Sequence, residues 1–444
     1  MNEIVQKVLL FSKKHIYEIV ISFITLILVF FLPKWTYQDE TLTQVNYGLL
    51  VILILQYVVY FIWKKRKEAK LLQQKEEVKD ITSFLNVSGS IIAIIFGILF
   101  GFVVMMFTNP PQALEGIIVI IQGGFNEGMF SLGNMIYYAV PVILTGLSVA
   151  FAFRTGLFNI GATGQLTVGA FFAVYVGVKW GFLSSVPLLH WLTALIVGGI
   201  AGGLWGAIPG FLKAYRNVNE VVSSIMLNYI GMYLNSILIK KLIYNVTYAR
   251  AMSILPSAET PTFNLDYLFP NSSVNAGIVV AIIIVITLHI VLNKTTFGYE
   301  LKAVGFNRHA SRYAGINEKR NIVLSMIISG AVAGIAGALI FLIQGKNMKP
   351  ENILLQEGFT GIAISLLGLN SPFGVLFAGL FYGSLYQGGY YLQTLDFNDT
   401  IIDIIIGVVI YASALSLAIQ ALMKYFIDKF RKKKAKAEQG GETS

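Results

Sequence analysis

Repeated, nearly uncharged apolar runs of about 17 to 25 residues constrain this chain most, because about 20 such residues carry a helix across the hydrocarbon core of a bilayer. Residues 88–107 and 274–292 are two such runs. Only 13% of the 444 residues are charged and 56% are hydrophobic, whereas a soluble domain carries roughly 25% charge. That balance, with a mean hydropathy of +0.70, excludes a soluble globular protein and predicts an all-α polytopic membrane protein. The 42 glycines show no period of three and sit inside the apolar runs, where small residues let helix backbones approach closely. With no cysteine, a disulfide framework, a thiolate zinc site and a cysteine nucleophile are all excluded.

The pattern predicts twelve spans, near residues 16–32, 47–63, 88–107, 132–153, 157–178, 188–212, 219–240, 274–292, 322–344, 353–370, 372–390 and 401–422. The pair meeting at Leu369, Asn370, Ser371 and Pro372 reads alternatively as one broken or re-entrant element buried in protein. With both termini inside, most of the 33 Lys and Arg residues fall on the inner side, notably in Lys64 to Lys79, Lys294 to Arg320 and Arg431 to Lys436. The net charge of +10 is therefore read as topological, with a cytoplasmic N- and C-terminus, and not as a nucleic-acid interface. The run after Lys13 and Lys14 continues into Pro33, Lys34 and Trp35 without a small-residue cleavage site, so it reads as a retained anchor. This division gives a two-span extension with a basic linker at 1–80, a ten-span body at 81–425 and a basic cytoplasmic tail at 426–444.

Helical phase at about 100° per residue places Glu220, Ser224, Asn228, Gly231 and Asn235 on one polar stripe. Glu357, Gly361, Ser365 and Gly368 form a second, and Asp403, Gly407, Tyr411, Ala414 and Ala418 a third. A fourth is expected from Asn159, Thr163 and Thr167. Gly198, Gly202, Gly206 and Gly210, with Gly330 and Gly334, read as close helix contacts. Asn228, Glu357 and Asp403 are candidates for lining a path, because a polar or ionisable group kept within lipid normally turns toward protein or water. Glu220 opens a helix, where its charge suits the positive end of the helix dipole.

Catalytic and energy-coupling motifs do not emerge. Gly345 and Lys346 are adjacent, but Ile340 and Asn347 stand where a phosphate-binding loop needs Gly and Ser or Thr. The four histidines, at positions 15, 190, 289 and 309, lack metal-ligand spacing, so no metal or cofactor is assigned. Uphill transport by such a chain needs either its own buried carboxylates or an ATP-hydrolysing partner. Residues 293–321 alternate small, apolar and charged residues, consistent with an amphipathic helix that docks in another protein's groove or lies on lipid headgroups.

The segment from Gly298 to Ile316, GYELKAVGFNRHASRYAGI, resembles the coupling segment of permease subunits from ABC importers of the branched-chain amino acid and simple-sugar type, and within that group the nucleoside permeases. Further similar blocks run Gly146 to Leu166, Trp205 to Ala214, Asn217 to Ile230 and Gly358 to Gly368, so the resemblance covers roughly residues 85–425. It implies a bacterial plasma-membrane subunit without chemistry of its own. A cytoplasmic ABC ATPase would grip Gly298, Glu300, Ala303, Gly305, Arg312 and Gly315. A second homologous permease would complete the pore, and an extracellular lipoprotein would deliver a nucleoside. The stripe residues Asn159, Thr163, Gln165 and Asn228 suit such a neutral solute, since amides and hydroxyls pair with ribose and base edges at low desolvation cost. Thr163 and Thr360 replace acids expected in the family pattern. Simple sugars or branched-chain amino acids are the alternative cargo. An ion-coupled carrier using Glu357 and Asp403 and a structural scaffold are the competing classes.

Overall fold

The computed structural model describes residues 77–398 and 400–414. The expected spans at 16–32 and 47–63, the end of the last span and the tail at 426–444 lie outside the described residues. The chain divides into two compact units, Met1–Ser83 and Phe84–Ser444. Of the first, only 77–83 are described, and they are helical.

Besides the four-residue helix Leu265–Leu268, thirteen α-helices carry most of the described residues. In chain order they are α1 (Glu77–Thr108), α2 (Ala113–Gln122), α3 (Met129–Arg154), α4 (Ala162–Lys179), α5 (Pro187–Arg216), α6 (Glu220–Leu238), α7 (Gly277–Lys294), α8 (Thr296–Phe306), α9 (Arg308–Tyr313), α10 (Glu318–Phe341), α11 (Gln356–Leu367), α12 (Pro372–Leu392) and α13 (Thr400–Ala414). A two-residue antiparallel pair, Tyr244–Asn245 with Arg250–Ala251, is the sheet among the described residues. Among the described residues, five helical segments are long and apolar enough to cross a membrane: α3, α5, α6 extended to Ile243, α7 and α10.

The most extensive helix contact is α5 against α10, and both also pack on α4. Glycine makes this possible. A Cβ on Gly202 would lie 2.7 Å from the Gly334 Cα, and one on Gly206 would lie 2.5 Å from the Met326 carbonyl oxygen. The expected glycine seams are thus backbone-to-backbone contacts, which in lipid replace the hydrophobic drive for helix association. The outer faces of the same helices are apolar and exposed, as at Ile196, Ile200 and Leu204.

Three expectations change. Helix α11 has 12 residues and is about 18 Å long, too short for a core of about 30 Å, so 353–370 is a half-helix and not a span. It is joined to α12 by Leu369 and Asn370 in left-handed conformations, with φ of 56° and 51°. Second, α2 forms where no element was expected, since ten residues fall short of the length that marks a span. Third, α4 starts at Ala162, so Asn159 precedes it and the expected stripe with Thr163 and Thr167 is not one helix face. The Asn219 carboxamide caps α6 through the Val221 and Val222 amides instead.

Candidate functional site

Two regions gather part of the expected functional residues, one beside the middle of α3 and one at its C-terminal end. The first is a cavity of about 570 Å³ between the middle of α3, the end of α10, α11, α12 and α13. Tyr137 and Tyr138 enter from α3, and Tyr382 and Tyr386, four residues apart on α12, enter from the other side. Their rings form a chain, with centroids 5.2 Å apart for Tyr137 and Tyr138, 4.6 Å for Tyr138 and Tyr386, and 6.0 Å for Tyr382 and Tyr386. The α11 N-terminus supplies Gln356, Glu357 and Thr360, α13 supplies Asp403, and Asn275 and Lys346 stand at the loop side. The Lys346 ammonium donates to the Tyr137 hydroxyl at 3.2 Å and lies 5.4 Å from that ring's centroid.

The positions of these groups follow from local structure. Pro141 lies inside α3 and has no N–H to donate to the Tyr137 carbonyl. Thr145, one turn later, donates its hydroxyl to the Glu357 carbonyl at 2.8 Å. Because α11 starts partway across the protein, its N-terminal amides and the positive end of its dipole face the cavity, as half-helices do in transporters whose cargo binds at mid-depth. Of the path candidates, the structure brings Glu357 and Asp403 to this cavity.

Asn159, Thr163, Gln165 and Asn228 lie elsewhere. All four are at most 1% exposed and sit where α3, α4, α6 and α10 meet. Asn159 Nδ2 donates to Ser329 Oγ at 2.6 Å and to Gln165 Oε1 at 2.8 Å, while its Oδ1 accepts from Gln165 Nε2 and the Gly161 amide, each at 3.1 Å. Asn228 Oδ1 accepts from the Gly164 amide at 2.8 Å and its Nδ2 donates to the Ile160 carbonyl at 3.0 Å. Their polar groups therefore satisfy the irregular backbone before α4, which lipid could not do. The Thr163 hydroxyl is buried without a partner against Gly358, where a Cβ would stand 2.5 Å from the Thr163 Cα. Asn159→Ala should leave several of these groups unpaired, costing roughly 2 kcal/mol. A lower thermal midpoint of the detergent-purified protein would register this, and an unchanged midpoint would show that the knot carries no stability.

The second region is the segment from Thr295 to Gly315. Thr295, Asn307 and Asn317 side chains cap α8, α9 and α10 by accepting from the Gly298, Ala310 and Arg320 amides. Gly298 folds α8 back onto α7, since a Cβ there would lie 2.6 Å from the Leu292 carbonyl oxygen. Glu300 accepts from Asn321 Nδ2 at 3.0 Å, and Arg308 pairs with Glu318 at 3.2 Å. Gly305 abuts the turn after α3, where a Cβ would lie 2.6 Å from the Arg154 carbonyl oxygen.

Gly298, Glu300 and Gly305 thus face the body of the chain. Ala303 is half-buried, Arg312 and Gly315 are exposed, and Gly315 has a φ of 81°. The outward apolar groups are Tyr299, Phe306 and Tyr313, at 72%, 91% and 95% exposure.

Sequence reasoning missed the four tyrosines, Asn275, Gln356 and Lys346. The spacing of Tyr382 and Tyr386 is a usable signal for one helix face, but both lie in an apolar run without a charged or amide neighbour on that face to mark it. Among the described residues, no group of three or more His, Asp or Glu side chains converges as a metal site.

Comparison with known proteins adds to this geometry. The family described as the branched-chain amino acid transport system permease component matches residues 131–414. The guanosine ABC transporter permease protein NupP of Bacillus subtilis is 39% identical, over 75% of this chain and 94% of its own length. The nucleoside ABC transporter permease protein NupB of Lactococcus lactis is 35% identical, over 75% of this chain and 92% of its own. The glucose ABC transporter permease protein TsgB13 of Haloferax volcanii is 32% identical, over 59% of this chain and 69% of its own. No solved structure matches significantly.

Proposed function

The chain belongs to the permease family of branched-chain amino acid transport systems, and from that premise we propose that it is the membrane subunit of an ATP-driven importer of nucleosides. The observation that carries the choice of cargo is the tyrosine-walled cavity that also holds Glu357, Asp403, Gln356, Thr360 and Asn275. An aromatic base stacks on tyrosine with a gain of about 1–3 kcal/mol. Ribose hydroxyls and base N–H groups donate to carboxylates, which accept hydrogen bonds and donate none when ionised. A branched-chain amino acid could give its ammonium donors to the acceptors but would leave the ring stack unused, as would a simple sugar. The named cargo of the Bacillus and Lactococcus relatives supports the same reading.

The subunit is a multi-pass membrane protein, and ATP hydrolysis belongs to a separate subunit. The exposed aromatic face of α8 and α9 is the docking surface for a cytoplasmic ABC ATPase, and the Lys and Arg distribution puts both termini on the same side. A second homologous permease closes the pore, as the paired relatives NupB with NupC and NupP with NupQ suggest, and an extracellular lipoprotein delivers the cargo. The 1–80 extension is dispensable for transport by the 81–425 body. Deleting it should leave uptake unchanged, and loss of membrane assembly on deletion would refute that assignment.

The deciding experiment is uptake of labelled guanosine by cells expressing the chain with its ATPase, second permease and lipoprotein. Unlabelled nucleosides should compete, and ribose and leucine should not. Competition by ribose or leucine would reassign the cargo, and ion-driven accumulation by the purified chain alone would replace the mechanism with a secondary carrier. Tyr382→Ala should raise the KM for uptake by about tenfold, the equivalent of about 1.4 kcal/mol of lost stacking. An unchanged KM would remove the ring chain from the substrate path.

A further inference from the structure

The cavity borders the middle of α3 and the ATPase-docking segment its C-terminal end. Tyr137 and Arg154 are separated by about 25 Å of helix, so a force applied to α8 needs a rigid route to the cavity. A continuous one is present. Gly305, at the end of α8, meets the turn after α3 backbone to backbone, with a Cβ position 2.6 Å from the Arg154 carbonyl oxygen and 3.0 Å from the Gly156 amide nitrogen. No side chain stands between them to absorb a displacement. The turn needs Gly156, whose φ is 73°, and it is held to α10 by a 2.8 Å hydrogen bond between the Thr155 and Ser325 hydroxyls.

From this turn the Arg154 guanidinium reaches sideways, and its Nε donates to the Asn370 carbonyl at 2.9 Å. Asn370 belongs to the left-handed turn that ends the half-helix α11. That turn is tied to the helix: the Asn370 amide donates to the Ser365 carbonyl at 2.8 Å, and the Ser365 hydroxyl donates to Asn370 Oδ1 at 2.7 Å. A pull on Asn370 therefore moves α11 as one piece. The other end of α11 carries Gln356, Glu357 and Thr360 in the cavity wall, and Gly358 there touches α4 at Thr163.

We infer that Arg154 is the positioning residue that couples the docking segment to the cavity, acting through the Asn370 turn and the half-helix α11 to move Glu357 and its neighbours against α4. This rests on the reading that α8 and α9 carry the ATPase. The charged donor suits the task, since a guanidinium hydrogen bond is about twice as strong as a neutral one and the planar group resists bending. The half-helix is short, is joined at its base to α3 through this contact, and is tied to α3 again near the cavity by the Thr145 hydroxyl and the Glu357 carbonyl.

The chain has no cysteine, so a single reporter can be introduced cleanly. Thr360→Cys, on the cavity wall, is labelled with a water-soluble maleimide in the full complex, first without nucleotide and then trapped with ATP and vanadate. The labelling rate should change by roughly fivefold or more. With Arg154→Ala added, the ATPase should still co-purify at the parental ratio and hydrolyse ATP, but the nucleotide-dependent change in labelling should be lost, and Arg154→Ala alone, without the reporter, should lose uptake. Arg154→Lys, which keeps the charge without the planar fork, should restore part of the change in labelling. A nucleotide-dependent change that persists in Arg154→Ala would overturn the inference. So would the absence of any change in the parent complex with the ATPase bound. Failure of the ATPase to bind the parent complex would instead overturn the docking assignment itself.

Discussion

Gly305→Val is expected to reduce uptake by on the order of 100-fold while the ATPase remains bound. The Gly305 Cα lies against the Arg154 and Gly156 backbone, and even a Cβ would stand 2.6 Å from a carbonyl oxygen that is fixed at the end of α3. A branched side chain there must lift the end of α8 away from the turn. The outward residues Tyr299, Phe306 and Tyr313 stay on the surface, so docking is preserved and transmission is lost. The measurement is substrate uptake beside ATP hydrolysis in the same membranes. Hydrolysis without uptake is the expected result, and wild-type uptake would mean that α8 does not act through this contact.

Gly334→Leu should eliminate folded protein. Gly334 lies where α10 crosses α5, and a Cβ there would overlap the Gly198 carbonyl and lie 3.0 Å from the Gly202 Cα. Overpacking a core against movable side chains costs about 1–3 kcal/mol. Here the obstacle is the backbone of a neighbouring helix, so the cost exceeds that range and approaches the whole stability of a typical protein, roughly 5–15 kcal/mol. Gly181→Ala is the matched control, because the nearest atom to its Cβ position is a Leu255 methyl at 3.6 Å. Size-exclusion chromatography of fluorescent fusions would show a single symmetric peak for Gly181→Ala and no such peak for Gly334→Leu. A monodisperse Gly334→Leu protein would mean that the α5–α10 seam tolerates separation.

Several elements were legible in the order of residues. The polar stripe of α6 is buried at Ser224, Asn228, Gly231 and Asn235, as helical phase requires. The glycine series on α5 and the pair on α10 each read as a close helix contact, and the structure shows that they meet one another. Residues 295–313 fold as short helices, as the alternation of small, apolar and charged residues in 293–321 predicts, while the caps at Thr295, Asn307 and Asn317 emerge only in the structure. The half-helix was visible only as an ambiguity at Leu369 to Pro372, since its 12 residues and those of α12 are equally apolar. Asn159 was assigned to a helix face because its spacing from Thr163 fits one. The chain there instead stays irregular, with Asn159 supplying hydrogen bonds that a helix would have made internally.

By itself the sequence settled the solvent: long apolar runs with few charges demand lipid, and hydropathy is a property of each segment alone. It also settled which backbones approach closely, because only glycine permits that contact. The tertiary structure decided which polar groups face open space and which face protein. Glu357 and Asp403 meet across a cavity with four tyrosines, whereas Asn159, Gln165 and Asn228 are consumed by neighbouring backbone. Both sets look alike along the chain, since a side chain's partner is fixed by helices that arrive from distant positions.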